Sequence, residues 1–193
     1  MSRTGLETSD DRTAAGLTEG ERTRVFLVVI AVALSAPTFV AAVVRGSDDA
    51  ALDLSRSLLF GALAAALVSR FIQIAVQFEV VDVGLSAEAR RRRSRPRLLA
   101  AVVWAQWPLA LRDLGLGVLG LTGVIGTASM LNLASNLFDP FVLGSVVVFA
   151  RRISQVLEDP RDARRAIVAF AGFSIVVKLA NGVLLSLLSP AIG

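Results

Sequence analysis

The chain has 193 residues, 54% hydrophobic and 19% charged, with a mean hydropathy of +0.67. It contains neither cysteine nor histidine, which excludes disulfides, thiol chemistry, Cys/His zinc sites and histidine acid/base catalysis. The net charge of +4 is gathered in short arginine clusters beside long apolar runs, a pattern produced by membrane topology that leaves no continuous basic domain to hold nucleic acid.

Residues 1–24 are polar, with five acids against four arginines and no apolar period, and read as a flexible cytoplasmic tail with one short helical turn near Leu17–Glu21. The uncharged run VFLVVIAVALSAPTFVAAVV, Val25 to Val44, follows. Its twenty residues make about 30 Å of helix, the thickness of a bilayer's hydrocarbon. The long mixed-charge leader and unbroken length favour an uncleaved anchor over a signal peptide. Pro37 within it predicts a bend and a backbone carbonyl released for another group.

The connection RGSDDAALDLSRS, Arg45 to Ser57, offers Ser47 or Asp48 as an N-cap for a second span, Leu58 to Val83. A helix through all of that span is about 39 Å long and must tilt or extend past the headgroups. Arg70 falls near mid-depth, with Glu79 and Asp82 close to the inner surface.

The segment EARRRRSRPR, Glu88 to Arg97, carries Arg90, Arg91, Arg92, Arg93, Arg95 and Arg97 and belongs on the cytoplasmic side. These six arginines are also candidate contacts for anionic lipid. Pro96 suits the first turn of the next helix. A second arginine-bearing loop, Arg151 to Arg165, should lie on the same side, so the 53 residues from Leu98 to Ala150 cross an even number of times. The expected crossings are Leu98–Leu111, which is short for a span, and Leu114 to about Leu137, with Arg112–Asp113 as the outer turn. Asp139–Pro140 and Asp159–Pro160 each read as an N-cap followed by proline at the first helical position. The first opens a helix to about Leu157, read as re-entrant or lying in the inner leaflet. The second leads into a crossing over Ala166–Leu188, ended by Ser189–Pro190.

The expected fold is therefore all-α: a polytopic helical membrane bundle of about five spans, N-terminus inside and C-terminus outside, in the cell membrane. A rival arrangement makes the third span the long segment around 98–125, uses Asp139–Pro140 as an outer turn and sends the 140–157 helix partly across.

Gly117, Gly120, Gly123 and Gly126 recur every third position of an apolar run. In lipid, small residues let helix backbones approach closely, so these four are expected to form a packing groove. A permeation path or a sliding helix is the functional alternative. The run lacks the Lys–Ser/Thr ending of a phosphate loop.

Arg70 and Lys178 both lie about 18 Å into their spans from opposite faces, near the bilayer centre. A charge facing lipid there costs several kcal/mol, so each should face the bundle, a wet cavity or an acid. Glu79, Asp82 and Asp113 are the candidate partners. Gln73 and Gln77 extend a polar stripe from Arg70 toward Glu79, and Asn181 shares a helix face with Lys178. Arg70, Gln73, Gln77, Glu79, Lys178 and Asn181 thus form a candidate intramembrane polar site. It reads as a buried network fixing helix pairing, as an anion or polar-solute site, or as a lipid or protein contact. No nucleophile, metal cluster or paired intramembrane carboxylate supports catalysis, so no enzyme activity, cofactor or metal is expected. The expected role is to organise lipid or protein partners, including a second copy of the chain. The alternative is a transporter or channel for an anionic or polar solute, using Arg70 and Lys178.

Overall fold

The computed structural model describes residues 17–46, 56–136 and 138–188. The N-cap expected at Ser47 or Asp48 and the stop at Ser189–Pro190 fall outside them. Among the described residues the chain is all-α. Its helices are α1 (Glu19–Gly46), α2 (Arg56–Gly84), α3 (Ala87–Arg92), α4 (Arg95–Ala105), α5 (Trp107–Leu121), α6 (Thr127–Ser135), α7 (Pro140–Val156) and α8 (Pro160–Leu188). Three of them, α1, α2 and α8, are long and apolar enough to cross a membrane.

Helix α1 begins six residues before the apolar run. Thr18 and Glu21 form a reciprocal capping box: the Thr18 amide donates to Glu21 Oε2 at 2.9 Å, and the Glu21 amide donates to Thr18 Oγ1 at 3.3 Å. Residues 19–24, expected as part of the polar tail, thus belong to α1. Pro37 lies inside α1. Around it the hydroxyls of Ser35 and Thr38 donate to the carbonyls of Val32 and Leu34, at 2.8 and 2.6 Å.

The segment 95–121 departs from expectation. Arg112 and Asp113, expected as an outer turn, lie inside α5, and the interruption falls instead at Gln106. Pro108 explains it, because proline has no amide to offer the carbonyl four residues back and its ring crowds that carbonyl. The Gln106 amide turns to Val103 O at 3.0 Å. Helix α5 then stops at Leu121 rather than running on to Leu137. Gly123 adopts φ 74°, its amide bonds Gly120 O at 3.0 Å, and the Val124 amide bonds Leu119 O at 2.9 Å. Such a paired closure around a left-handed residue ends a helix, and glycine accepts that conformation without strain.

Cross-helix contacts fix the directions. Gln106 bonds Gln77, and seven residues away along each helix Asp113 meets Arg70, so α4–α5 runs antiparallel to α2. Gln77 also bonds Ser174, while a Cβ on Gly84 would lie 3.2 Å from that of Ala169, so α8 is antiparallel to α2 as well. By contrast α1 and α5 run in the same direction: a Cβ on Gly117 would lie 2.8–3.1 Å from Thr38 and Phe39, and one on Gly120 would lie 3.0 Å from Ala42. The glycine groove is thus shorter than expected. Gly123 belongs to the turn and Gly126 caps α6, and a Cβ added at either would meet nothing within 4 Å.

The interior is small and partly polar, whereas bulky apolar side chains point outward. Ser35, Gln77, Gln106, Asp113, Asp139, Ser145 and Lys178 are buried, with a core built around Leu98, Val102, Phe149, Ile153 and Phe170. The rings of Phe149 and Phe170 stack at 4.2 Å. Phe26, Phe60, Phe138 and Val168 are each more than 60% exposed. A water-soluble fold reverses that distribution, and contiguous exposed apolar surface marks contact with lipid or with other proteins.

Candidate functional site

The densest polar site is built at an interruption between α6 and α7. The Asn136 amide bonds Asn132 O at 3.1 Å, the Phe138 amide bonds Asn136 Oδ1 at 3.0 Å, and α7 then starts at Pro140. Two helix ends therefore come together around the buried Asp139, one presenting free carbonyls and the other free amides. Asp139 caps α7 as its sequence predicts, with Oδ1 accepting from the Phe141 amide at 2.9 Å. Lys178, on α8, joins the two ends: its ammonium donates to Ala134 O at the end of α6 and to Asp139 Oδ2, the latter at 3.0 Å. An ammonium at a helix C-terminus and a carboxylate at a helix N-terminus both match the local dipoles.

The charge pairing extends from there across the bundle. Arg112 also donates to Asp139 Oδ2, and binds Asp113 Oδ1 through Nε at 2.8 Å and Nη2 at 2.6 Å. The second oxygen of Asp113 faces Arg70 Nη2 at 3.4 Å, and Arg70 Nη1 reaches Gln73 Oε1 at 3.3 Å. The result is an alternating chain, Lys178, Asp139, Arg112, Asp113, Arg70, drawn from α8, the interruption, α5 and α2. Every member's side chain is at most 15% exposed. Three cations against two carboxylates leave one net positive charge, and the excess sits at the Arg70 end. Arg70 makes only long contacts, and its buried Nε has no hydrogen-bond partner among the described residues.

Some of the expected site residues belong to this chain and others do not. Arg70, Gln73 and Lys178 are joined through it, and Asp113, one of the three acids named as candidate partners, is the one that pairs with Arg70. Gln77 belongs to a separate layer nearer the arginine-rich end, where it accepts from Gln106 Nε2 at 2.8 Å and donates to Ser174 Oγ at 3.1 Å. Glu79 is exposed and pairs with Arg95 at 3.6 Å. Asn181 lies on the exposed side of α8. Asp139 and Arg112 were missed as site residues because a D-P pair reads as a cap and an R-D pair as a turn. The available signal was charge counting: between the two arginine segments and in the apolar part of α8 there are only two cations and two acids, and all four pair.

The six arginines of the 90–97 run do not form one surface. Arg90, Arg91 and Arg92 are exposed on α3. Arg93 is buried against Asp82, and Arg95 lies over the Phe78 ring at 5.7 Å. Arg97 turns toward a cleft of about 180 Å³ between the starts of α1 and α4 and the end of α7. A second cavity, of about 260 Å³, opens at the same end between α3 and the α7–α8 connection. There Asp162 accepts from the Ser86 amide at 3.1 Å and the Ser86 hydroxyl at 2.9 Å, which fixes the start of α3.

No group of three or more potential metal ligands occurs among the described residues. Comparison with protein-family models, curated proteins and solved structures finds no match to this chain.

Proposed function

We propose that this chain is a non-enzymatic, multi-pass membrane protein that organises lipid or protein partners around a closed helical bundle. The proposed topology has five crossings with the N-terminus inside: the apolar part of α1 from Val25, then α2, then α4–α5 as one bent unit, α6–α7 as one interrupted unit, and α8. The third and fourth crossings each contain enough residues for about 39 Å of helix, so neither is short. This replaces the division at Arg112–Asp113 and turns the 140–157 helix from a re-entrant piece into the inner half of a crossing. Both arginine segments remain inside. Interrupted helices are tolerated at membrane depth where the freed backbone groups are buried in protein, which is the situation at Ala134 and Asp139.

The observation that carries the reading is the pairing of both central cations. Arg70 and Lys178 each lie about 20 Å from the arginine-rich end along their helices, and both face acids inside the bundle. Charges held this way fix helix positions and have no lipid exposure to offset. The exposed apolar flanks and the exposed inner arginines are then the surfaces left for partners.

A transport reading draws support from two features, the interruption near mid-depth and the incompletely satisfied Arg70; transporters place ion sites at such interruptions. Anion flux into liposomes containing the purified protein separates the readings. The proposal expects no flux above protein-free vesicles, and loss of folded, monodisperse protein for Lys178→Met and Arg70→Met. Flux in the parent that disappears in well-folded variants would replace the proposal with transport.

A further inference from the structure

The cleft beside Arg97 has the features of a ligand site, and they come from three helices distant in sequence. Its floor is apolar, formed by Val25, Ala100 and Val156. Arg97 and Arg152, one from each arginine segment, both line it. Arg152 lies over the indole of Trp104, its guanidinium carbon 4.8 Å from the ring centroid, a contact that does not consume its donors. Arg97 Nε is buried and has no hydrogen-bond partner among the described residues. A buried guanidinium donor left unsatisfied costs free energy that an incoming oxygen acceptor would recover. The single acid of the cleft, Glu21, is already engaged by the amide and hydroxyl of Thr18.

From this arrangement we infer that the cleft binds the phosphodiester headgroup of an anionic phospholipid, with Arg97 and Arg152 as its two cationic contacts and Trp104 as the platform holding Arg152. The inference deepens the membrane-organising function proposed above and rests on it. Position favours a lipid over a soluble anion. The cleft opens where α1 passes from its capped polar start into the apolar run, at the level expected for headgroups, and Phe26 and Leu27 leave that part of α1 with exposed apolar side chains. Two guanidinium groups match the geometry of a phosphate better than ammonium groups do, because each presents a planar fork of donors.

The test uses the full chain in detergent with Trp107→Phe, which leaves Trp104 as the sole indole. Phosphatidylglycerol, phosphatidylcholine and inorganic phosphate are titrated separately while Trp104 fluorescence is read. Phosphatidylglycerol should give a saturable change, phosphatidylcholine a much weaker one and inorganic phosphate little. Arg97→Gln and Arg152→Gln should each weaken phosphatidylglycerol binding about fivefold, the amount expected for one basic residue at an anionic surface. Arg152→Lys, which keeps the charge but loses the planar fork and the stacking on Trp104, should bind between the parent and Arg152→Gln, and circular dichroism should show unchanged helicity in all three. Parental affinity in both glutamine variants would overturn the site, as would equal binding of inorganic phosphate and phosphatidylglycerol. Loss of binding only on Arg90→Gln with Arg91→Gln would also overturn it, yet leave the broader function standing. A chain that is monodisperse in buffer without detergent would remove both.

Discussion

Lys178 of α8 donates to the backbone carbonyl of Ala134, 44 residues earlier in the chain, and so closes the end of α6 that the interruption leaves open. The same ammonium holds the carboxylate that caps α7. One side chain therefore compensates both halves of a broken helix.

That double role makes Lys178→Met destabilising in a particular way. Asp139 would keep Arg112, so the cost should fall somewhat below the ~3–5 kcal/mol typical of a buried pair stripped of one partner. Asp139→Asn should be at least as harmful, because it leaves Arg112 and Lys178 facing each other. Thermal unfolding in detergent for the two single variants and the double variant would give a coupling energy. Additive losses would show that the two side chains do not act together.

At the α1–α5 seam and the turn beyond it the glycines should differ sharply. Gly117→Ala places its methyl against the Thr38 backbone, which cannot swing aside, and should cost about 1–3 kcal/mol as an overpacked site. Gly123→Ala forces a side chain into the left-handed conformation, at about 1–2 kcal/mol. Gly126→Ala has open space around it and should cost least, about 0.5 kcal/mol, from the poorer N-cap that alanine makes. Melting temperatures of the three variants test the order, and a neutral Gly117→Ala would rule out the close approach.

The start of α1 should respond to pH. The Thr18 amide, followed by its hydroxyl, holds the Glu21 carboxyl below the usual carboxylate range, with Arg97 and Arg152 adding to the effect. A depressed acid stabilises the folded form above its unfolded value, about 4.3 for glutamate, and loses that contribution as pH falls through the lower folded value. The protection factors of the amides in the first turn of α1, corrected for the intrinsic exchange rate at each pH, should therefore fall on acidification below that point. Glu21→Gln should remove the dependence, and a parent with constant protection of that turn across the same acidification would contradict the capping box.

Asp162 anchors the arginine-bearing turn through both polar groups of Ser86. Asp162→Asn keeps one acceptor but loses the charge, and should loosen α3 more than the rest of the bundle, by about 1–2 kcal/mol. Limited trypsin digestion at Arg90 to Arg92 should quicken several-fold while the global melting temperature moves little. Equal protease resistance would mean that α3 is held by other contacts.

Much of the helix pattern was readable from the chain because it rests on local chemistry. The D-P pairs place the starts of α7 and α8, Pro96 sits in the first turn of α4, and the apolar runs cover most of α1, α2 and α8. The errors cluster between Gln106 and Asp139, where tertiary pairing overrides local signals. An adjacent arginine and aspartate look like a solvated turn until a carboxylate and a guanidinium from other helices are found to neutralise them. Equal spacing of the glycines resembles a uniform groove, but two of them serve a turn and a cap. Lys178 and Arg70 could be recognised as needing partners from their place inside apolar runs. The identity of the Lys178 partner depended on a helix interruption that periodicity does not register.

The same-direction contact between Thr38 and Gly117 also carries a consequence for how the chain is made. Neighbouring helices that run the same way cannot form as a simple hairpin, since the polypeptide has to return to its starting side before the second one begins. This close seam therefore forms only after α5 has emerged from the ribosome, with α2 already made. Nascent chains arrested before Leu121 should leave the first helix without its closest neighbour and open to capture by quality-control machinery.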